Sequence, residues 1–158
     1  MWRLKTQKLL WIIVLALKKI IESILIVTAL FYVVLVFDIY INTEKLSKVS
    51  SSLNAFCQNI ANNPNFTTGP VVFRVDRGTL LYRLHSYVNT GDLGGYSPFF
   101  IFPHHRTVIL SEGVLKEGSL AVTVAHELGH IQGGLEHFGP ASKMEQYAND
   151  FAEKILVK

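Results

Sequence analysis

The chain has 158 residues, 49% of them hydrophobic, and its mean hydropathy of +0.30 is high for a purely soluble protein. That length leaves room for one domain and an appendage. The formal net charge of +3 belongs to the N-terminal flank, because from Thr43 onward six Lys and four Arg face ten Asp plus Glu; this balance gives no basis for a nucleic-acid partner.

Residues 1–19 form a basic flank, with Arg3, Lys5, Lys8, Lys18 and Lys19. Within it LLWIIVLAL (residues 9–17) is too short to span a membrane alone and extends the following helix or lies in the interface. Residues 20–41 are apolar apart from Glu22 and Asp38 and have the roughly 20-residue length a membrane-spanning helix needs. No small-residue cleavage site follows the first apolar run, so the segment reads as an uncleaved signal anchor. Only Lys45 and Lys48 lie soon after it, and the positive-inside rule then predicts a single-pass membrane protein with a cytoplasmic N-terminus and an extracytoplasmic C-terminal domain.

Residues 42–64 are expected to form an amphipathic stalk. Leu46, Val49, Leu53, Phe56, Cys57 and Ile60 recur at three- and four-residue steps, predicting a helix over 43–61 capped by Thr43 and ended by Asn62-Asn63-Pro64. Cys57, the single cysteine, excludes an internal disulfide. Asn65-Phe66-Thr67 fits a glycosylation sequon and is read as unmodified.

Residues 65–158 are expected to form the folded domain, of α+β class. Residues 71–75 and 79–88, around Asp76-Arg77-Gly78, read as a β-hairpin. After a Gly-rich loop over 89–98, residues 99–102 and 107–110 read as short strands flanking Pro103-His104-His105-Arg106. Ser119 then caps a helix with Leu120, Val124, Leu128 and Ile131 along one stripe and Gly133-Gly134 as its stop, and a last helix runs from Ser142 to near the end. No repeats or low-complexity tracts are present.

The chemistry concentrates in AHELGHIQGG, residues 125–134, which carries the pattern His-Glu-x-x-His. Residues four apart lie one turn above each other on a helix, so His126 and His130 present their rings to one point. Glu127, rotated by about 100°, can reach a water activated there. This is the arrangement of metal-assisted hydrolysis, with Zn²⁺ as the metal and Glu127 as general base. Catalytic zinc keeps three protein ligands, and several residues compete for the third place. In the metzincin pattern His-Glu-x-x-His-x-x-Gly-x-x-His, Gly133 falls on the glycine, but Glu136 stands where the histidine belongs and His137 comes one residue late. Met144 even falls where the methionine of an archaemetzincin-like turn would stand. Glu145 lies in SKMEQYANDFAEKIL beside an apolar stripe of Ala148, Phe151, Ala152 and Ile155, which would pack this helix against the first. Asn149, one turn on, would accept from a ligand histidine's other ring nitrogen. Ser142-x-x-Glu145 is also a capping box, a role that needs no metal, and Asp150 is a remaining candidate.

HELGH followed by Glu-x-x-Ala-Asn-x-Phe-Ala resembles the ImmA/IrrE-type metallopeptidases and, more loosely, the HtpX-like membrane peptidases, whose second helix reads Glu-x-x-Ala-Asp. The resemblance covers residues 107–156. It implies a zincin-like domain of gluzincin type, with a small sheet, an edge strand at 107–110, the HExxH helix and a second ligand helix. It further implies His126, His130 and Glu145 as zinc ligands and hydrolysis of a protein or peptide substrate. The membrane anchor departs from ImmA/IrrE-type proteins, generally cytoplasmic and acting on transcriptional repressors, and the single span departs from HtpX-like enzymes. The substrates of those families therefore do not carry over. Tyr147, His137, His104 and His105 are candidate oxyanion donors, each read more simply as a core aromatic, a loop residue or a solvated turn. Two other functions compete: a non-catalytic, zinc-stabilised binding or immunity module of the membrane, and a peptidase of inverted topology acting in the cytoplasm.

Overall fold

The computed structural model describes residues 2–88, 94–98, 100–134 and 140–157, with side chains for 11–87 and the later ranges. The chain is α+β and divides into two compact units, Met1–Val34 and Leu35–Lys158. The first is part of helix α1 (Trp2–Ile41), whose stretch Trp11–Ile41 is long and apolar enough to cross a membrane. Glu22, the one acid of the first unit, meets Lys18 at 3.8 Å and Lys19 at 3.6 Å, four and three residues before it on the same helix.

The second unit begins with the end of α1 and continues through β1 (Thr43–Lys45), α2 (Leu46–Val49), α3 (Ser51–Ala61), β2 (Val72–Asp76), α4 (Leu80–Val88), β3 (Gly95–Tyr96), β4 (Thr107–Leu110), α5 (Leu120–Gly133) and α6 (Ala141–Leu156). A single 3-10 turn, Val114–Lys116, precedes α5. The four strands form one mixed sheet in the order β1-β2-β4-β3, with β4 parallel to β2 and antiparallel to β3. Alternate residues of the sheet serve two cores. Phe73, Val75, Val108 and Leu110 pack with Leu46, Cys57 and Ala61, and with the buried stripes of α5 and α6. Ile109 points to a second cluster with Leu35 and Ile39 of α1 and Ile101. All four residues of β4 are buried, and three of them, Val108-Ile109-Leu110, form a continuous apolar run.

Three expectations are corrected. Residues 80–88 are helix α4 rather than the second strand of a hairpin. The turn residues that suggested a hairpin act as caps instead: Asp76 Oδ1 accepts the Thr79 N–H at 3.0 Å, Thr79 Oγ1 accepts the Tyr82 N–H at 3.3 Å, and Asp38, distant in sequence, accepts the Leu80 N–H at 2.6 Å. Residues 100–103 form turns rather than a strand, since Ile101 N–H bonds Pro98 O at 2.8 Å and His104 N–H bonds Ile101 O at 2.6 Å. The helix expected over 43–61 is interrupted: Thr43 lies in β1, and extended Ser50 separates α2 from α3, capping α3 through the Leu53 N–H at 3.3 Å. The expected end at Asn62 holds.

Candidate metal centre

Helix α5 begins after Ser119, as its position suggested, although the Ser119 hydroxyl bonds Glu117 at 3.3 Å and does not cap the helix. Val124, Leu128 and Ile131 anchor one face in the core. Gly134, at φ 49°, ends the helix, its N–H bonding His130 O. Helix α6 begins at Ala141 with Pro140 at its N-cap and no side-chain cap, so Ser142 lies inside the helix and the capping box with Glu145 does not form. Glu145 is thereby left for another role.

The two helices meet at Gly129 and Ala148. A Cβ at position 129 would stand 2.7 Å from Ala148 Cα and 2.9 Å from its carbonyl oxygen, closer than carbon atoms pack. Glu145 and Asn149, flanking Ala148 along α6, are thus carried to His126 and His130, which flank Gly129 on α5. Gly129→Ala should gain about 1 kcal/mol of helix propensity but lose about 1–3 kcal/mol to overpacking. The expected net result is a lower Tm and weaker metal binding, measured by thermal unfolding with and without zinc.

His126, His130 and Glu145 form a group able to hold a metal ion. His126 Nε2 lies 3.1 Å from His130 Nε2 and 3.2 Å from Glu145 Oε2, and His130 Nε2 lies 3.5 Å from Glu145 Oε1. Tetrahedral ligands at zinc bond lengths stand about 3.3 Å apart; the two ring nitrogens have about that spacing and each has a different Glu145 oxygen near it, so the three residues fit such an ion in chemistry and lie close to its spacing. His126 Nδ1 is 2.9 Å from Asn149 Oδ1. Asn149 accepts the Nδ1–H, which leaves the Nε2 lone pair free for a metal. Burial holds His130 below its ordinary pKa, reinforced by His126 and opposed by Glu145, so its imidazole is kept in the neutral, ligating form. Asn149→Ala should weaken metal binding by about 10–100-fold without unfolding the domain, a difference readable by competition with a chromogenic chelator.

Glu127 is only 6% exposed. Its burial, together with the negative charge of Glu145, pushes its carboxyl up to about 8, while the Ser97 hydroxyl and amide oppose the shift. The hydroxyl favours the carboxylate without forming a full hydrogen bond. Sequence reasoning missed Ser97: it follows β3 in the stretch read only as a Gly-rich loop, and nothing local marks it. A divalent cation at the histidines would favour the ionised carboxylate.

The other candidates lie elsewhere. Glu136 and His137 fall outside the described residues. Asp150 is exposed on α6 and is not in the metal-holding group found among the described residues. Met144 lies inside α6 rather than in a turn, and Tyr147 is half-buried on that helix. His104 Nε2 sits 3.2 Å from Val36 O of α1, and His105 stacks on Phe102 with ring centroids 5.4 Å apart. The strand β4 is not the sheet's edge: β3 pairs outside it, through Gly95 to Leu110 and Tyr96 to Ile109, and is the outer strand among the described residues.

Comparison with protein-family models, with curated proteins and with solved structures gave no match.

Proposed function

We propose that this chain is a membrane-anchored zinc endopeptidase with a zincin-like domain of gluzincin type. The observation that carries the reading is the convergence of His126 and His130 on α5 with Glu145 on α6, beside a buried Glu127 that is not part of the metal-holding group. Zinc held there would supply Lewis acidity toward a water and a scissile carbonyl. Glu127, enclosed next to Ser97, takes a proton from the attacking water and delivers it to the departing amine. Asn149 orients His126, and β3, the outer strand among the described residues, would pair with an extended substrate backbone. The substrate is accordingly a protein or peptide segment in extended form. The basic residues among the first nineteen, before the apolar run of 20–41, support a cytoplasmic N-terminus with the domain on the opposite side.

The test is cleavage of an unstructured peptide library by the full chain in detergent. Activity should vanish with a zinc chelator and return with added Zn²⁺. One equivalent of bound zinc with no cleavage of any peptide would leave the metal-stabilised binding module as the better reading.

A further inference from the structure

The spanning helix poses a problem of length. Lys18 and Lys19, the last basic residues before the apolar run, mark its inner boundary. The fifteen residues from 20 to 34, where the first unit ends, rise about 22 Å. A bilayer's hydrocarbon core is about 30 Å thick. The missing length must come from the next turn and a half of α1, which is already part of the folded second unit.

That part of α1 has two faces. Leu35 and Ile39 are buried against Ile101, and the Val36 carbonyl lies 3.2 Å from His104 Nε2. The turns at residues 100–105 therefore stand level with residues 35–39 along α1. On the outside at this level, Phe37 is 59%, Tyr40 68% and Ile41 71% exposed, and Phe100 and Phe102, on either side of buried Ile101, are 53% and 69% exposed. The amphipathic ring of Tyr40 is of the type enriched where hydrocarbon meets headgroups, and phenylalanines bury from the apolar side of interfacial segments, whereas a surface bathed in water rarely gathers so many.

We propose that the domain is partly immersed in the bilayer, with Phe100, Phe102, Phe37 and Tyr40 forming a lipid-contacting rim around the emergence of α1. The occupant of this apolar surface is the lipid interface, because the surface is continuous with the helix that enters it. The proposal rests on α1 spanning the bilayer and is independent of the metal chemistry. It places the domain's base in the headgroup layer, where substrates close to the membrane surface are within reach.

The experiment places a single tryptophan in the full chain, reconstituted in phosphatidylcholine nanodiscs with or without brominated acyl chains. In a Trp2→Phe, Trp11→Phe background, Phe102→Trp should emit at shorter wavelength, be quenched strongly by bromolipid and be shielded from aqueous iodide. Glu153→Trp, on the exposed side of α6, should show the reverse. Iodide quenching of Phe102→Trp equal to that of Glu153→Trp, without bromolipid quenching, overturns the proposal. Shielding from iodide without bromolipid quenching also overturns it, pointing to a second copy or another protein on this surface. Should Phe102→Trp not fold, Phe100→Trp gives the same reading. Phe31→Trp in the same tryptophan-free background, inside the 20–41 span and 52% exposed, reports separately on insertion of α1, so failure of the spanning reading is distinguished from failure of the rim.

Discussion

Glu127→Gln is expected to leave one zinc bound per chain and to lower kcat/KM by about 10²–10⁴-fold, the usual contribution of a positioned general base. The substitution preserves shape at a site only 6% exposed and removes only the capacity to accept a proton. The neighbouring ligands His126, His130 and Glu145 keep their atoms and spacing, so metal content and Tm should match the parent. Peptide hydrolysis, zinc content and thermal unfolding measured on one preparation separate the two roles. Unchanged hydrolysis would remove Glu127 from the chemistry. Loss of hydrolysis together with loss of zinc would make it a structural residue of the centre.

Glu145→Ala carries the second large effect, on the metal itself. Losing a direct ligand should weaken zinc binding by more than the roughly 100-fold upper range for residues that only orient ligands, and hydrolysis should fall with it. The Glu145 side chain is 56% exposed, and the core stripe of α6 lies at Ala148, Phe151, Ala152 and Ile155, so the fold should persist without zinc. Asp150→Ala, altering a carboxylate on the same helix but outside the donor group, is the matched control and should bind zinc as the parent does. If Asp150→Ala proved the weaker binder, the ligand assignment would move.

The parts of the molecule legible in sequence share one property: neighbours along the chain decide them. The apolar run of α1, the stripe of α5, its stop at Gly133-Gly134 and the pairing of Glu145 with Asn149 all follow from helical period and local composition. The α4 segment was misread because LLYRLHSYV satisfies both a two-residue and a 3.6-residue pattern. What selects the helix is a cap from Asp38, far away in sequence. The interior place of β4 escaped for a related reason: its outer partner β3 is only two residues long, and one of them is glycine. Ser97 likewise gains its meaning from Glu127, across the fold. The Glu145 capping box shows the reverse case, a sound local signal overruled when the helix started at Ala141 instead.

The backbone contact between Gly129 and Ala148 also makes metal supply a matter of folding. Because the donors come from two helices pressed together there, an ion at the centre binds only the docked arrangement of α6, the last helix of the chain described. Thermodynamic linkage then adds to its docking about 4 kcal/mol when free zinc exceeds its dissociation constant a thousandfold, a large share of the roughly 5–15 kcal/mol that holds a small domain together. Where zinc is scarce, α6 keeps its apolar anchorage but loses that increment, and the folded lifetime of the protein would follow the zinc level of its compartment.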